Sequence, residues 1–425
     1  MLNIEKIRED DDKIIKGLSV RGSDFSSEIS ELKDLDVRWR ELLQKSQAMK
    51  SEKNEVSKKI GKLKRTGNDA EEKISRMREL TGKIKTTEVQ LQKFKNRIDQ
   101  ILLNLPNIPD KDIQEKDRVV RKEGSPKDYN FKPRPHWDIG EMLDIIDLKI
   151  ASKLSGSRFP LLKKSGALLE RALINFMLDI HKNKFNYEEI MPPYLVNEEI
   201  MVGTGQLPKF IEDMYQTRQD GMFLIPTAEV PLVNIVRDEI LSKRDLPKKY
   251  VAYTPCFRRE AGSYGKDTRG LIRNHQFNKV ELVNIVLPCD SEKFHKQLLK
   301  ESEEVLKQLG LTYRILELGT EEMGFAAART FDIEVWMPGE KKWREISSCS
   351  NCRDFQARRM MARYRNGKGT EFLHTLNSSG VAVGRLFAAV LENFQTEELN
   401  VTIPEPLRKY MNGQKIIKKE ILPGR

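Results

Sequence analysis

Between residues 30 and 105 the chain has no proline and repeats apolar residues at alternating steps of three and four, a pattern that calls for long paired helices. With Leu32 as position a, the a and d positions read Leu32, Leu35, Trp39, Leu42, Ser46, Met49, Lys53, Val56, Ile60 and Leu63. Gly67 and Asn68 then break the helix, and Asp69 can cap the next one. A second register runs Ile74, Met77, Thr81, Ile84, Glu88, Leu91, Lys95, Ile98, Leu102 and Leu105, apolar at every d position. Two helices of similar length joined by so short a turn fold back antiparallel and bury their seams. About 35 residues at 1.5 Å each make an arm roughly 50 Å long. The two prolines of LPNIPD, residues 105–110, stop it.

Over residues 21–100, 20 Lys and Arg face 14 Asp and Glu, with Lys58, Lys59, Lys62, Lys64 and Arg65 clustered near the tip. A solvated coiled-coil surface and a probe that follows a phosphate backbone both fit this pattern. The formal net charge of +11 suits a polyanionic partner, although solubility alone also explains it. At 425 residues the chain divides into an N-terminal helical domain (1–105), a Pro-, Lys- and Asp-rich linker (106–135) and a body (136–425). No apolar run approaches the roughly 20 residues of a membrane span, and the charged start MLNIEKIREDDDK lacks a signal-peptide stretch. Four cysteines in so long a chain suit a reducing compartment, so a cytoplasmic location is expected. Cys349 and Cys352 form a lone CxxC. With no second CxxC or HxxxH, buried thiols are expected rather than zinc.

In the body, helical stretches alternate with strand-like runs in no repeating βαβ order, and neither GxGxxG nor GxxxxGK[ST] occurs, so an α+β fold is expected and any nucleotide site is neither Rossmann nor P-loop in kind. GALLERALINFMLDIHKNK reads as an amphipathic helix, YEEIMPPYLV as an edge or interface strand. VAYTPCFRREAG, a glycine-rich loop and IRNHQFNKVELVNI form a strand, loop, strand unit. It carries Arg258, Arg259, Glu260, Arg269, Arg273, His275 and Glu281, and alternation sets Phe277, Lys279 and Glu281 on one face. FDIEVWMPGEKKWREISSC adds two strands that pair Asp332 with Glu334, and Glu345 with Ser347, on shared faces. LNSSGVAVGRLFAAVLENFQ reads as a polar turn and then a helix with Arg385 near its start. Carboxylates that hold Mg²⁺ and arginines that clamp phosphates make the toolkit of nucleotidyl transfer, while structural salt bridges remain the alternative for any single member.

These segments resemble a family. CFRREAGSYGKDTRGLIRNHQFNKVEL is similar to motif 2 of seryl-tRNA synthetases, GRLFAAVLENFQ to class II motif 3, and the helix with PPYLV to motif 1. The likeness extends over nearly the whole chain, through MLNIEKIRE, LPNIPD, KLSGSRF, GTGQLPKF, PTAE and EISSCSNCRDFQARR. It implies an antiparallel class II sheet of six or seven strands flanked by helices, a homodimer built on motif 1, and an N-terminal hairpin that contacts tRNA(Ser). It implies a serine–tRNA ligase using ATP and Mg²⁺, and leaves open a selenocysteine-type tRNA as a second acceptor. By position, Arg258, Glu345 and Arg385 would be catalytic. Arg258, Arg259, Glu260, Asn274, Phe277, Glu345, Ile346, Ser347, Ser348 and Arg385 would bind ATP, with the base between Phe277 and Arg385. Thr227, Ala228, Glu229, Arg258, Glu281 and Ser379 would bind serine, and Glu345 with Ser348 would hold Mg²⁺. The tip cluster Lys58, Lys59, Lys62, Lys64 and Arg65 would meet tRNA. The CSNC run belongs to the family pattern, whose bacterial type has no structural zinc.

Two positions depart from the pattern. Ser378 stands where glycine is usual, which costs about 1 kcal/mol if the turn needs positive φ. Asn274 replaces a usually apolar residue, where a main-chain contact would make its side chain matter little. Two rival readings are an adenylating relative that serves a carrier protein, against which the basic hairpin argues, and a non-catalytic tRNA-binding homologue, against which Arg258, Glu260, Glu281, Glu345 and Arg385 argue.

Overall fold

The structure, a computed structural model, describes residues 1–261 and 269–420. Residues 262–268 of the glycine-rich motif 2 loop lie outside the described residues. Contacts divide the chain into two units, Leu2–Pro106 and, with Met1, the chain from Asn107 onward.

The first unit contains α1 (Ile4–Glu9), α2 (Asp11–Ser19), α3 (Ser26–Arg65) and α4 (Glu71–Asn104). The hairpin turns at Gly67, whose φ is +72°, and the Asp69 carboxylate accepts the Glu71 N–H at 2.9 Å. Helix α3 uses the expected register: Leu32, Ser46 and Ile60 are buried, and Leu35, Trp39, Leu42, Met49, Lys53, Val56 and Leu63 are partly so. Helix α4 departs from it. Ile74, Met77, Ile84, Leu91, Ile98, Leu102 and Leu105 are covered as expected, but Leu80, Thr87, Phe94 and Ile101 are covered beside them, while the expected Thr81, Glu88 and Lys95 are exposed. The residues read as d are the a positions of the real heptad, and d follows three residues later. Leu80, Phe94 and Ile101 offer more apolar area than the polar set they displace. Ion pairs of 2.7 Å link the two helices: Lys50–Glu88, Arg76–Glu52 and Arg97–Glu31. Asp36 is buried between Arg8 (2.7 Å) and Arg40 (2.9 Å), which ties α1 to α3.

The second unit is built on an eight-stranded sheet: β1 (Arg118–Glu123), β2 (Glu188–Glu189), β3 (Lys248–Phe257), β4 (Gln276–Val286), β5 (Tyr313–Glu317), β6 (Arg329–Met337), β7 (Lys342–Arg353) and β8 (His374–Ala382). Its order is β1-β5-β6-β7-β8-β4-β3-β2, antiparallel except where β2 joins β3 in parallel. The count exceeds six or seven because the segment expected as a linker supplies β1 and the stretch before Pro192 and Pro193 supplies the two-residue β2. The helices are α5 (His136–Met142), α6 (Leu148–Ser155), α7 (Ser165–Phe185), α8 (Glu198–Thr204), α9 (Glu229–Val233), α10 (Ser291–Leu309), α11 (Phe355–Met360) and α12 (Val383–Asn393).

Strand alternation sorts the two faces of the sheet. Along β4, Val280 and Leu282 bury into the main core with Leu173 of α7, Leu306 of α10 and Phe387 of α12. Val283 and Ile285 face the other way, packing with Ala228, Leu232, Ala357 and Met360 around α9 and α11. Phe277, Lys279 and Glu281 continue this second face beyond those helices, so they line open space. The NSSG run is not a turn: it lies inside β8, paired on both sides with β7 and β4. Neither Ser378 nor Gly380 has positive φ, so the serine carries no backbone strain there. Ser378 points to the helical face, where its hydroxyl lies 2.8 Å from that of Ser302 on α10.

Candidate active site

A cavity of about 240 Å³ opens on that second face. Its floor comes from β4 (Phe277, Lys279, Glu281), β7 (Glu345, Ser348) and β8 (Asn377, Ser379). One wall is the end of β3, where Arg258 and Glu260 leave the strand, Glu260 with φ +52°. Another is the run Leu271–Asn274 entering β4, and Arg385 from the first turn of α12 closes the end.

The ends differ in chemistry. At one, Glu229, half-buried at the start of α9, lies near the fully buried Glu281. Burial, then the neighbouring Glu281 charge, push the Glu229 carboxyl up to about 7. Gln356 of α11 donates to Glu229 at 2.6 Å. Lys279 donates to the Thr227 hydroxyl at 2.7 Å and pairs with Glu281 at 2.5 Å, and Asn377 donates to Glu281 at 3.2 Å. Two carboxylates, one buried and one half-buried, against one buried ammonium make this end attractive to one more cation.

The other end is cationic and aromatic. The Arg258 guanidinium sits 5.3 Å from the Phe277 ring centre, and its Nε donates to Pro226 O at 3.3 Å. Arg273 pairs with Glu260 at 3.1 Å. Arg385 donates to the Glu345 carbonyl at 2.8 Å, pairs with its carboxylate at 3.2 Å and donates to Ile272 O at 3.3 Å. The Arg385 charge beside Glu345 holds that carboxyl below its usual range. Next to it, burial and the Glu345 charge push Asp332 up to about 8, and its Oδ1 is buried without a partner. The Arg258 guanidinium over the Phe277 ring, with a second guanidinium, Arg385, at the same end, suits a nucleotide with its phosphates.

Residues 210–394 match the tRNA synthetase class II core domain (G, H, P, S and T), and residues 1–109 the seryl-tRNA synthetase N-terminal domain. The chain is 50% identical over 424 residues to the serine–tRNA ligase of Geobacter sulfurreducens, covering 98% of this chain and 100% of that one. The chain belongs to the seryl-tRNA synthetase family. The serine–tRNA ligase of Listeria monocytogenes serotype 4a is 49% identical over 420 residues, 97% of this chain and 98% of the relative. Among solved structures, the seryl-tRNA synthetase of Pyrococcus horikoshii complexed with ATP superposes with a TM-score of 0.91 at 35% identity, covering 99% of this chain and 100% of that one. The cytoplasmic serine–tRNA ligase of Naegleria fowleri in complex with AMP gives 0.86 at 28% identity, with 99% of each chain covered.

Against the family motifs, the cavity gathers Arg258, Glu260, Asn274, Phe277, Glu345, Ile346, Ser348 and Arg385 from the expected nucleotide set, and Thr227, Glu229, Glu281 and Ser379 from the expected serine set. Three expected residues lie elsewhere. Arg259 alternates away from Arg258 and is exposed beside Tyr215 and Gln216. A bulge in β7 between Glu345 and Ser347 puts Ser348, not Ser347, on the face of Glu345; Ser347 is buried and donates to Ser379 O at 2.5 Å. The Ala228 methyl packs in the core behind the site. Asn274 is buried along the wall.

The cavity also brings in Lys279, Gln206 and Asn377, and Gln356 and Asp332 border it, none of which the family resemblance assigns a role. Lys279 was readable, since it shares the alternation of Phe277 and Glu281. Gln356 was not, because α11 brings it in from a distant stretch of sequence. The cysteines of the CxxC separate: Cys349 lies in the main core, and Cys352 borders a different cavity near Phe325. Lys58, Lys59, Lys62, Lys64 and Arg65 are all exposed on the last two turns of α3. Among the described residues no helix is long and apolar enough to cross a membrane.

Proposed function

We infer that the chain is a serine–tRNA ligase. It activates L-serine with ATP to seryl-adenylate and pyrophosphate, then passes the seryl group to the 2′- or 3′-hydroxyl of the terminal adenosine of tRNA(Ser), with AMP leaving. The observation that carries the reading is the two-ended cavity: the paired carboxylates Glu229 and Glu281 at one end, arginines and an aromatic ring at the other, in one continuous space.

The α-ammonium of serine belongs beside Glu229, whose raised pKa marks a carboxylate lacking a cation. The hydroxyl is read by Glu281 and Ser379, with Glu281 held in place by Lys279 and Asn377. Alanine leaves those groups unpaired and is rejected strongly, whereas threonine has to be excluded by shape. Adenylation needs no general base, because the serine carboxylate is already the nucleophile. Arg258 aligns it with the α-phosphorus and neutralises the pentavalent charge. Phe277 and Arg385 hold the adenine from its two sides. Glu345 and Ser348, with the unpaired oxygen of Asp332, form a hard-oxygen donor set that fits Mg²⁺. When bound with ATP, that ion supplies charge neutralisation at the phosphates.

The basic end of α3 carries the contact with tRNA, and the Glu188–Val196 segment, where Met191 is 85% exposed, carries a homodimer contact. The place of action is the cytoplasm. The test is ATP–pyrophosphate exchange with each amino acid in turn. Exchange that depends on serine supports the reading, and exchange with another amino acid but not with serine overturns it.

A further inference from the structure

We propose that His136 is a positioning residue for the ATP end of the cavity, acting through the main chain at Leu271. The proposal rests on the ligase reading above. His136 is completely buried at the start of α5. Its Nε2 lies 3.1 Å from the Leu271 N–H and its Nδ1 lies 2.8 Å from Glu392 Oε1. An N–H can only donate, so Nε2 accepts, the ring proton sits on Nδ1, and Nδ1–H donates to Glu392. The carboxylate is fixed in turn by the His136 main-chain N–H at 3.0 Å and by the Gly339 N–H at 2.8 Å.

Leu271 begins the run Leu271–Asn274, which forms one wall of the cavity. That run is held at two adjacent points. Leu271 N–H is held by His136, and the carbonyl of the following residue, Ile272 O, accepts from Arg385 Nε at 3.3 Å. Arg385 and Glu392 are seven residues apart on α12, two turns of helix and so one face. One helix therefore fixes the wall twice, directly through the guanidinium and indirectly through Glu392 and the imidazole. Gly270 makes room for this: its φ is +77°, and a Cβ there would fall 2.2 Å from His136 Nε2. Glu340 also lies close enough for a three-residue metal cluster with His136 and Glu392. Both imidazole nitrogens are already committed to hydrogen bonds, which favours the positioning role.

The two ring nitrogens make distinct variants informative. In His136→Gln an amide oxygen can occupy the Nε2 position and accept from Leu271 N–H. His136→Asn keeps only a donor near the Nδ1 position. Steady-state exchange is measured on the full-length wild type and both variants, varying ATP and serine separately, with melting temperatures recorded alongside. His136→Asn is expected to raise the KM for ATP about tenfold and leave that for serine within about twofold, because a displaced wall costs alignment only at the nucleotide end. His136→Gln is expected to recover most of that loss. The proposal is overturned if Asn and Gln behave alike, if the two KM values rise together, or if neither variant folds, which would make the imidazole a structural bolt. Absence of serine-dependent exchange in the wild type would instead overturn the ligase reading.

Discussion

On the proposed reading, Glu229 governs the pH dependence of serine binding. Its pKa rises from the ordinary carboxylate value to about 7 because burial and Glu281 disfavour its charge. A raised acid pKa means that the group's contribution to the stability of the empty protein is fully present below the unfolded value, about 4.5, and is lost as pH rises through about 7. Serine binding has the opposite dependence, since only the ionised carboxylate pairs with an α-ammonium. The KM for serine is therefore expected to rise as pH falls from 8 to 6, approaching about tenfold per pH unit below 7. Glu229→Gln should raise that KM and flatten its dependence, and a flat wild-type profile contradicts the assignment. Ser378 yields a second expectation. Ser378→Gly loses the contact with Ser302 and loosens a central strand, so denaturant unfolding should show a loss of about 1–2 kcal/mol with exchange kinetics unchanged. A stabilised Ser378→Gly protein would show that the position does favour glycine. At this scale the shared face of Phe277, Lys279 and Glu281 and the helix start near Arg385 were legible from alternation and the polar run before the helix, whereas the roles assigned to these residues came from the family motifs alone. Ser347 was misplaced by a β-bulge, which a period-two reading cannot register.

Among the elements, the hairpin makes the sharpest comparison. Helix α3 was readable because its apolar residues occur at both heptad positions. In α4 both candidate seams share Met77, Ile84, Leu91 and Ile98, and only the intervening positions tell them apart. Leu80 is 1% exposed in the seam, so Leu80→Ala should cost about 2–4 kcal/mol of hairpin stability, while Thr81→Ala, outside it, should stay within about 0.5 kcal/mol. Hydrogen exchange on α3 and α4 amides distinguishes the two, and a larger effect at Thr81 restores the other register. The NSSG run misled for a related reason. Its composition is that of a turn, but pairing with β7 and β4 on both sides overrides local preference. Strand β1 was hidden because Arg118–Glu123 alternates weakly and lies at the sheet edge, with little apolar surface to bury.

The whole molecule joins an adenylating site to a basic helical hairpin, and its two activities should separate along that division. Replacing Lys58, Lys59, Lys62, Lys64 and Arg65 by glutamine should raise the KM for tRNA and weaken its dependence on salt, by up to about 0.9 in log–log slope per lost phosphate contact, with exchange unaffected. The division is tested most directly by measuring serine-dependent exchange and serine attachment to tRNA(Ser) in parallel, on the full chain and on a chain lacking residues 30–104. Both activities are expected in the full chain, and in the shortened one exchange within about twofold of normal with charging reduced at least about a hundredfold, because on the proposed reading the arm serves the acceptor and not ATP. Equal loss of both activities, or charging that survives without the hairpin, would contradict it.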